Sequence, residues 1–186
     1  GLLYDGNYEP GMKAERLHAA TLCQRYNALL PGDEGARREL MLKLLGKTVG
    51  EFLIVQPFYC DYGYNIEIGE RFFANANCVI LDAARVVFGD NVFIGPSCGF
   101  YTAGHPLDVI RRNQGLEYAY PIVIGNNVWI GGNAVFMPGV TVGNNTVVGA
   151  GSVVTKDIPP NVVAVGSPCR VIRELSEEEL FGTRTI

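Results

Sequence analysis

Histidine is scarce in this chain: His18 and His105 are the only two. A metal centre built on three imidazoles is therefore excluded by count. Tryptophan is limited to Trp129. Basic residues are not in excess. Fifteen Lys and Arg stand against 19 Asp and Glu, for a net charge of −4, so the electrostatic footprint of a nucleic-acid binder is missing. No apolar run is long enough to span a bilayer, and no segment reads as a signal peptide. The five cysteines (Cys23, Cys60, Cys78, Cys98 and Cys169) are odd in number and lack C-x-x-C spacing. That argues against a disulfide framework or zinc cluster and fits a reducing cytosol, with the thiols as small buried apolar groups. The expectation is a cytoplasmic protein with no metal, nucleic-acid or membrane partner.

What the chain does have is apolar content and glycine. It is 48% hydrophobic, enough for a sizeable core, and carries 23 glycines among 186 residues, well above the usual share of about 7%. Many tight turns follow. The length suits one domain with a small appendage.

Residues 1–50 read as a helical segment. Ala19, Leu22, Tyr26, Leu29 and Leu30 recur at three- and four-residue steps and make one apolar stripe, stopped by Pro31-Gly32. Asp33 is placed to cap a second helix with apolar positions Leu40, Met41, Leu44 and Leu45, ended by Gly46.

Past Glu51 the helical period gives way to a period of six. Ile124, Ile130, Phe136, Val142, Val148 and Val154 follow at intervals of six, and Gly125, Gly131, Gly143 and Gly149 come directly after four of them. The same phase occurs at Ile68, Ala74 and Ile80. It resumes, shifted by two around Ala83-Ala84, at Phe88, Ile94 and Phe100. Six is neither the strand period of two nor the helical 3.6, and a sandwich or barrel would repeat at about 8–12 residues. A short strand, a sharp corner and another short strand do give six. Three such sides close a coil of roughly 18 residues, with successive coils stacked at the ~4.8 Å strand spacing. The spacing thus predicts a mainly β fold, a parallel β-helix over residues 51–175 with coils from near Tyr62 to Val165. Residues 176–186 form a tail, in which Ser176 and Glu179 resemble a capping box opening a short helix.

The repeat is interrupted over residues 104–121, a polar stretch that reads as an extended loop, and loops this long in compact arrays are often functional. His105 stands where it begins. An imidazole there is either a proton acceptor, its ordinary pKa being ~6.5, or a loop histidine without a role. Asn75 is either a corner asparagine or a donor to an oxyanion. Lys156, Arg170 and Arg173 are either a phosphate-neutralising group or ordinary surface charge.

Several segments together resemble the maltose and galactoside O-acetyltransferases, a family of hexapeptide-repeat acetyltransferases. They are 57–69 (PFYCDYGYNIEIG), 73–77 (FANAN), 102–106 (TAGHP), 121–131 (PIVIGNNVWIG), 149–157 (GAGSVVTKD) and 166–173 (GSPCRVIR). The likeness covers nearly the whole chain, the helical start included. The Asn75, His105 and Trp129 segments are its most specific part. It implies a left-handed β-helix, a homotrimer with sites between subunits, and acetyl-CoA as co-substrate, without a metal. By the same resemblance His105 matches the catalytic base and Asn75 a transition-state stabiliser. Gly132, Ala150, Thr155, Lys156, Arg170 and Arg173 match coenzyme A contacts, and Trp129 joins them. Asp5 and Asp61, with Asp82 and Glu117 beside them, match the acceptor site. The galactoside enzymes carry serine at the place of Asp61 and a second aspartate at the place of Ala83, so these departures point to a maltose- or glucose-type acceptor. Three rivals stand beside this reading. They are acetylation of another hydroxyl, on an antibiotic or nucleotide sugar; a non-catalytic β-helix used for assembly; and a zinc hydratase on the same scaffold, which the histidine count disfavours.

Overall fold

The computed structural model describes residues 2–182 and is organised around a parallel β-helix of three faces. Face I stacks Lys47–Thr48, Ile66–Ile68, Val86–Phe88, Ile122–Ile124 and Thr141–Val142. Face II stacks Phe52–Ile54, Phe72–Ala74, Phe93–Ile94, Trp129–Ile130, Val147–Val148 and Val162–Val165. It ends on the antiparallel strand Arg170–Glu174. Face III stacks Phe58–Cys60, Cys78–Leu81, Gly99–Tyr101, Val135–Phe136 and Val153–Val154.

The period of six is the distance from one inward side chain to its counterpart on the next face. All twelve residues of the expected series, from Ile68 to Val154, are at most 2% exposed. Each such burial contributes about 1.5–3 kcal/mol for a Val, Ile or Phe. The axis is filled by aromatic rings: Phe72 against Phe88 at 5.1 Å, Phe88 edge-on to Phe100 at 5.0 Å, and Phe100 stacked on Phe136 at 4.7 Å.

Two corners are regular. At the I–II corner Asn91, Asn127, Asn145 and Asn161 adopt left-handed backbone, φ 54° to 61°, which asparagine tolerates better than other side chains with a Cβ. Their amides form a ladder, each Nδ2 donating to the next Oδ1 at 3.1, 2.9 and 2.7 Å. At the II–III corner Asn77, Ser97, Asn133 and Gly151 take the same conformation. Coils approach so closely there that a Cβ on Gly95 would lie 2.5 Å from Gly132 N, which accounts for glycine after an inward residue. The III–I corner is irregular. Eight positions separate Ile80 from Phe88, against six from Phe136 to Val142, and this is the two-residue phase shift.

Three expectations need correction. The coils begin at Lys47, a full turn before Tyr62, since Lys47 pairs with Glu67, Phe52 with Phe72 and Phe58 with Cys78. Gly50 marks one corner of that first coil with φ 61° but does not directly follow an inward residue, and the next corner, Val55-Gln56-Pro57, has neither glycine nor asparagine. Residues 104–121 are not a bare loop. They hold a helical turn and the strand Leu116–Ala119, which pairs antiparallel with Ala103–Gly104 on one side and Tyr4–Asp5 on the other. Third, Asp33 makes no cap bond; its carboxylate accepts from Leu30 N instead, and Leu30 is exposed.

The two N-terminal helices, α1 (Pro10–Asn27) and α2 (Glu34–Leu44), cover the open end of the first coil. Ala19, Leu22, Cys23 and Tyr26 of α1 and Leu40, Met41 and Leu44 of α2 are buried there. Arg37 ties the pair down by donating to Pro31 O at 3.1 Å and Ile54 O at 2.9 Å. After the last coil, helix α3 (Glu177–Phe181) opens on the expected capping box, Ser176 N to Glu179 Oε2 at 2.8 Å and Glu179 N to Ser176 Oγ at 3.2 Å. Residues 183–186 of the expected tail lie outside the described residues. Among the described residues no helix is long and apolar enough to cross a membrane, and no cluster of three or more His, Cys, Asp or Glu that could hold a metal is found.

Candidate active site

The irregular III–I corner gathers the acidic and aromatic candidates. Asp61, Asp82 and His105 leave face III at this corner in three successive coils. His105 is exposed, and its ring is held from one side, Nδ1 lying 3.1 Å from Leu116 O. A carbonyl oxygen only accepts, so Nδ1 carries a proton, and in the neutral imidazole the lone pair is therefore on Nε2. That Nε2 faces Glu117 Oε1 at 4.0 Å. The other Glu117 oxygen accepts from Tyr4 OH at 2.9 Å. Burial and the Glu117 carboxylate both push the Tyr4 hydroxyl well above its ordinary range, so it stays a donor. Register explains the meeting: Tyr4 lies opposite Glu117 in the small antiparallel sheet. His105 follows Gly104, the end of that sheet's third strand.

Asp61 is half-buried, and burial together with the Asp82 charge raises its pKa to about 6, against a pull downward from Arg16. Arg16 donates to Tyr62 OH at 2.8 Å and lies over the Tyr62 ring at 5.8 Å. Asp82 is fully buried, and its carboxylate accepts from Asp61 N, Tyr62 N and Gly63 N at 3.0, 2.8 and 2.7 Å. Burial nonetheless raises its pKa against these bonds. Asp82 therefore shapes the corner on which Asp61 sits. Asp5 is exposed and closes its own turn by accepting from Tyr8 N at 2.9 Å.

The remaining candidates lie elsewhere. Asn75 follows face II at the II–III corner and is half-buried, its Oδ1 accepting from Ala76 N at 2.7 Å. It lines a groove of about 400 Å³ with Phe73, Phe93, Gly95 and Trp129. Phe73, Phe93 and Trp129 stand in register on the outer side of face II, with Phe93 50% and Trp129 59% exposed. Gly132 and Ala150 occupy this corner two and three coils further on, whereas Thr155 and Lys156 follow face III, on the corner of His105. Among the described residues no hydrogen bond joins His105 to Asn75. A whole side of the prism, of which three extended residues alone span roughly 10 Å, lies between their corners.

The basic tail is divided. Lys156 and Arg170 have no carboxylate partner among the described residues; Arg170 donates to Cys169 O at 2.7 Å. Arg173 is held in a bidentate pair with Glu179, both bonds 2.7 Å. That pair holds the Glu179 carboxyl down to about 2. Lys156 thus stands free of a carboxylate on the corner of His105 and Arg170 at the end of face II, whereas Arg173 is already paired. Sequence reading did not single out Tyr4 or Arg16. Only the adjacency of Tyr4 to Asp5 hinted at the first, and the second needed the fold.

The chain is similar to known proteins along most of its length. Residues 121–156 match the family described as bacterial transferase hexapeptide (six repeats). Residues 1–50 match the maltose acetyltransferase hexapeptide capping motif. The galactoside O-acetyltransferase of Escherichia coli is 49% identical over 170 residues, 91% of this chain and 83% of that protein. A galactoside acetyltransferase solved in complex with coenzyme A superposes with a TM-score of 0.93 at 44% identity, over 97% of this chain and 90% of that one. A maltose O-acetyltransferase from Clostridium difficile 630 gives a TM-score of 0.93 at 46% identity, over 95% and 94% of the two chains. With its hexapeptide coils, its helical cap and relatives of this similarity along nearly its full length, the chain belongs to the maltose and galactoside O-acetyltransferase family, a family of acetyltransferases.

Proposed function

We propose that this protein transfers an acetyl group from acetyl-CoA to a hydroxyl of a sugar, of maltose or glucose type rather than a galactoside, with His105 as general base. The observation that carries the reading is the state of His105. Its Nδ1 is spent on Leu116 O, so Nε2 is a base beside Glu117, on the same corner as the half-buried carboxylate of Asp61.

His105 Nε2 takes the proton of the acceptor hydroxyl as its oxygen attacks the thioester carbon. Glu117 favours the imidazolium that results. Asn75, or a backbone N–H near it, donates to the oxyanion of the tetrahedral intermediate. As the carbon–sulfur bond breaks, the imidazolium returns its proton to the departing thiolate. Lys156 and Arg170 neutralise phosphate, Gly132 and Ala150 line the coenzyme A path beside Trp129, and Thr155 lines it from the corner of His105. Arg173 reaches phosphate only by sharing its pair with Glu179. Asp61 accepts from sugar hydroxyls, and Asp5 adds a second carboxylate at the mouth.

The separation of the two corners supports an assembly in which the site forms between protomers. A homotrimer of left-handed β-helices would set the III–I corner of one prism against the II–III corner of the next and cover the exposed Phe93 and Trp129 ladder. A cytoplasmic location suits an enzyme that draws on acetyl-CoA. A general base contributes about 10²–10⁴-fold. Turnover of His105→Ala is accordingly expected to fall by at least ~100-fold, with coenzyme A binding retained, in an assay of thiol release over maltose, glucose, galactosides and chloramphenicol-like alcohols. Near-normal turnover of the variant, or a preference for galactosides, contradicts the corresponding part of the reading.

A further inference from the structure

We propose that Cys23 and Cys60 are an oxidisable thiol pair that closes to a disulfide when a peroxide is the oxidant, tying helix α1 to the first coil. Their sulfurs are 3.7 Å apart, one on α1 and one at the end of the strand Phe58–Cys60. A disulfide needs about 2.05 Å, so the sulfurs must approach by less than about 2 Å, within reach of side-chain rotation.

The backbones that carry them are already aligned. Asn27, one turn after Cys23, clamps the same strand in both directions: Nδ2 donates to Phe58 O at 3.0 Å and Oδ1 accepts from Phe58 N at 2.9 Å. An oxidant has a route in, because both cysteines line an open groove of about 400 Å³ together with Ala20, Gln24, Asn27 and Tyr59. Burial does not set the pair apart, since Cys23 is 2% exposed and Cys78 and Cys98 are 0% and 1% exposed; the other thiols differ in that, among the described residues, none has a second sulfur within hydrogen-bonding distance, and Cys98 lies 3.3 Å from Gly131 O. Between the paired thiols, the hydrogen bond from Cys60 draws the Cys23 ionisation down, while the same bond and burial push Cys60 up. The contact thus eases ionisation of Cys23 and keeps Cys60 a proton donor, and a thiol whose ionisation is eased is the one that oxidants meet first.

The step balances with hydrogen peroxide. One sulfur, as thiolate, attacks a peroxide oxygen. The O–O bond breaks, a sulfenic acid forms, and the released hydroxide takes up the thiol proton as water. The second sulfur then attacks the sulfenic sulfur, the S–O bond breaks, and a second water leaves with the remaining thiol proton. Two thiols and one peroxide become one disulfide and two waters. The bond closes a loop across 37 positions, which restricts the unfolded chain.

The test is treatment of the reduced full-length protein with hydrogen peroxide, alkylation of remaining thiols, and peptide mapping without reductant. The expected result is one cross-linked species joining the Cys23 and Cys60 peptides, with Cys78, Cys98 and Cys169 alkylated only after unfolding. Melting temperature should rise by roughly 10 °C and return to its starting value with dithiothreitol. Cys60→Ser should abolish both changes. Should that variant misfold, the wild-type comparison of oxidised with reduced protein decides alone. Recovery of uncrosslinked Cys23 and Cys60 peptides after peroxide, as free thiols or as sulfinic acids, overturns the proposal. So does a crosslink that leaves the melting temperature unchanged.

Discussion

At the scale of single residues, the III–I corner concentrates buried charge. Asp82 is consumed by three backbone N–H groups, and its charge then acts on Asp61, whose carboxyl titrates near 6. The sign of the consequence is fixed by linkage. The folded protein holds the Asp61 proton up to about pH 6, whereas the unfolded chain releases it near its ordinary value of about 3.9. Between those values the native state binds more protons, so the Asp61 contribution to stability falls as pH rises through that window. Replacing Asp61 by Asn should therefore raise the melting temperature by a few degrees at pH 7 and leave it nearly unchanged at pH 4. Equal shifts at both pH values would show that Asp61 is not carrying the buried charge. His105 was legible in the sequence because the chain has so few histidines and this one stands at the break in the repeat. The hydrogen bonds that define its chemistry were not, since Leu116 and Glu117 return to it through an antiparallel pairing that no local signal announces. The three bonds to Asp82 were hidden for a similar reason: a carboxylate near a site in sequence looks the same whether it faces a ligand or three amides.

At the scale of elements, the corner is the unit that sequence patterns record. The six-residue period was readable wherever glycine and asparagine mark the I–II and II–III corners. It was unreadable over Lys47–Cys60, where Gly50 stands alone at one corner and Val55-Gln56-Pro57 makes the next. The asparagine ladder gives this idea a test. Asn127 has φ 55° and bonds to Asn91 and Asn145. Asn127→Gly keeps the backbone conformation and loses the two side-chain bonds. Asn127→Ala loses the bonds and also forces a Cβ into left-handed backbone, at about 1–2 kcal/mol. In denaturant unfolding the alanine variant should be the less stable of the two by about that amount. Equal stabilities would mean that the ladder, and not the turn conformation, selects asparagine here. The helical turn Val109–Asn113 and its flanking strands carry no such repeat, and for that reason residues 104–121 read as loop.

At the scale of the whole molecule, the candidate residues divide between two corners of one prism. His105, Glu117, Asp61 and Lys156 belong to one, and Asn75, Gly132 and Ala150 to the other. The repeat made the prism legible and the motifs made the residues legible, but which corner each residue occupies follows only from counting strands around three faces. This division is the ground for placing the site between protomers, and subunit mixing tests it most directly. His105→Ala and Asn75→Ala protein, each nearly inactive alone, would be unfolded together, reassembled in equal amounts, and checked for mixed assemblies by native mass spectrometry. If each site takes its base from one protomer and its oxyanion donor from the next in a cyclic trimer, random mixing restores both groups at about a quarter of the interfaces. Activity should then recover to about a quarter of wild type. Mixed assemblies that stay as inactive as the separate variants would contradict a shared site.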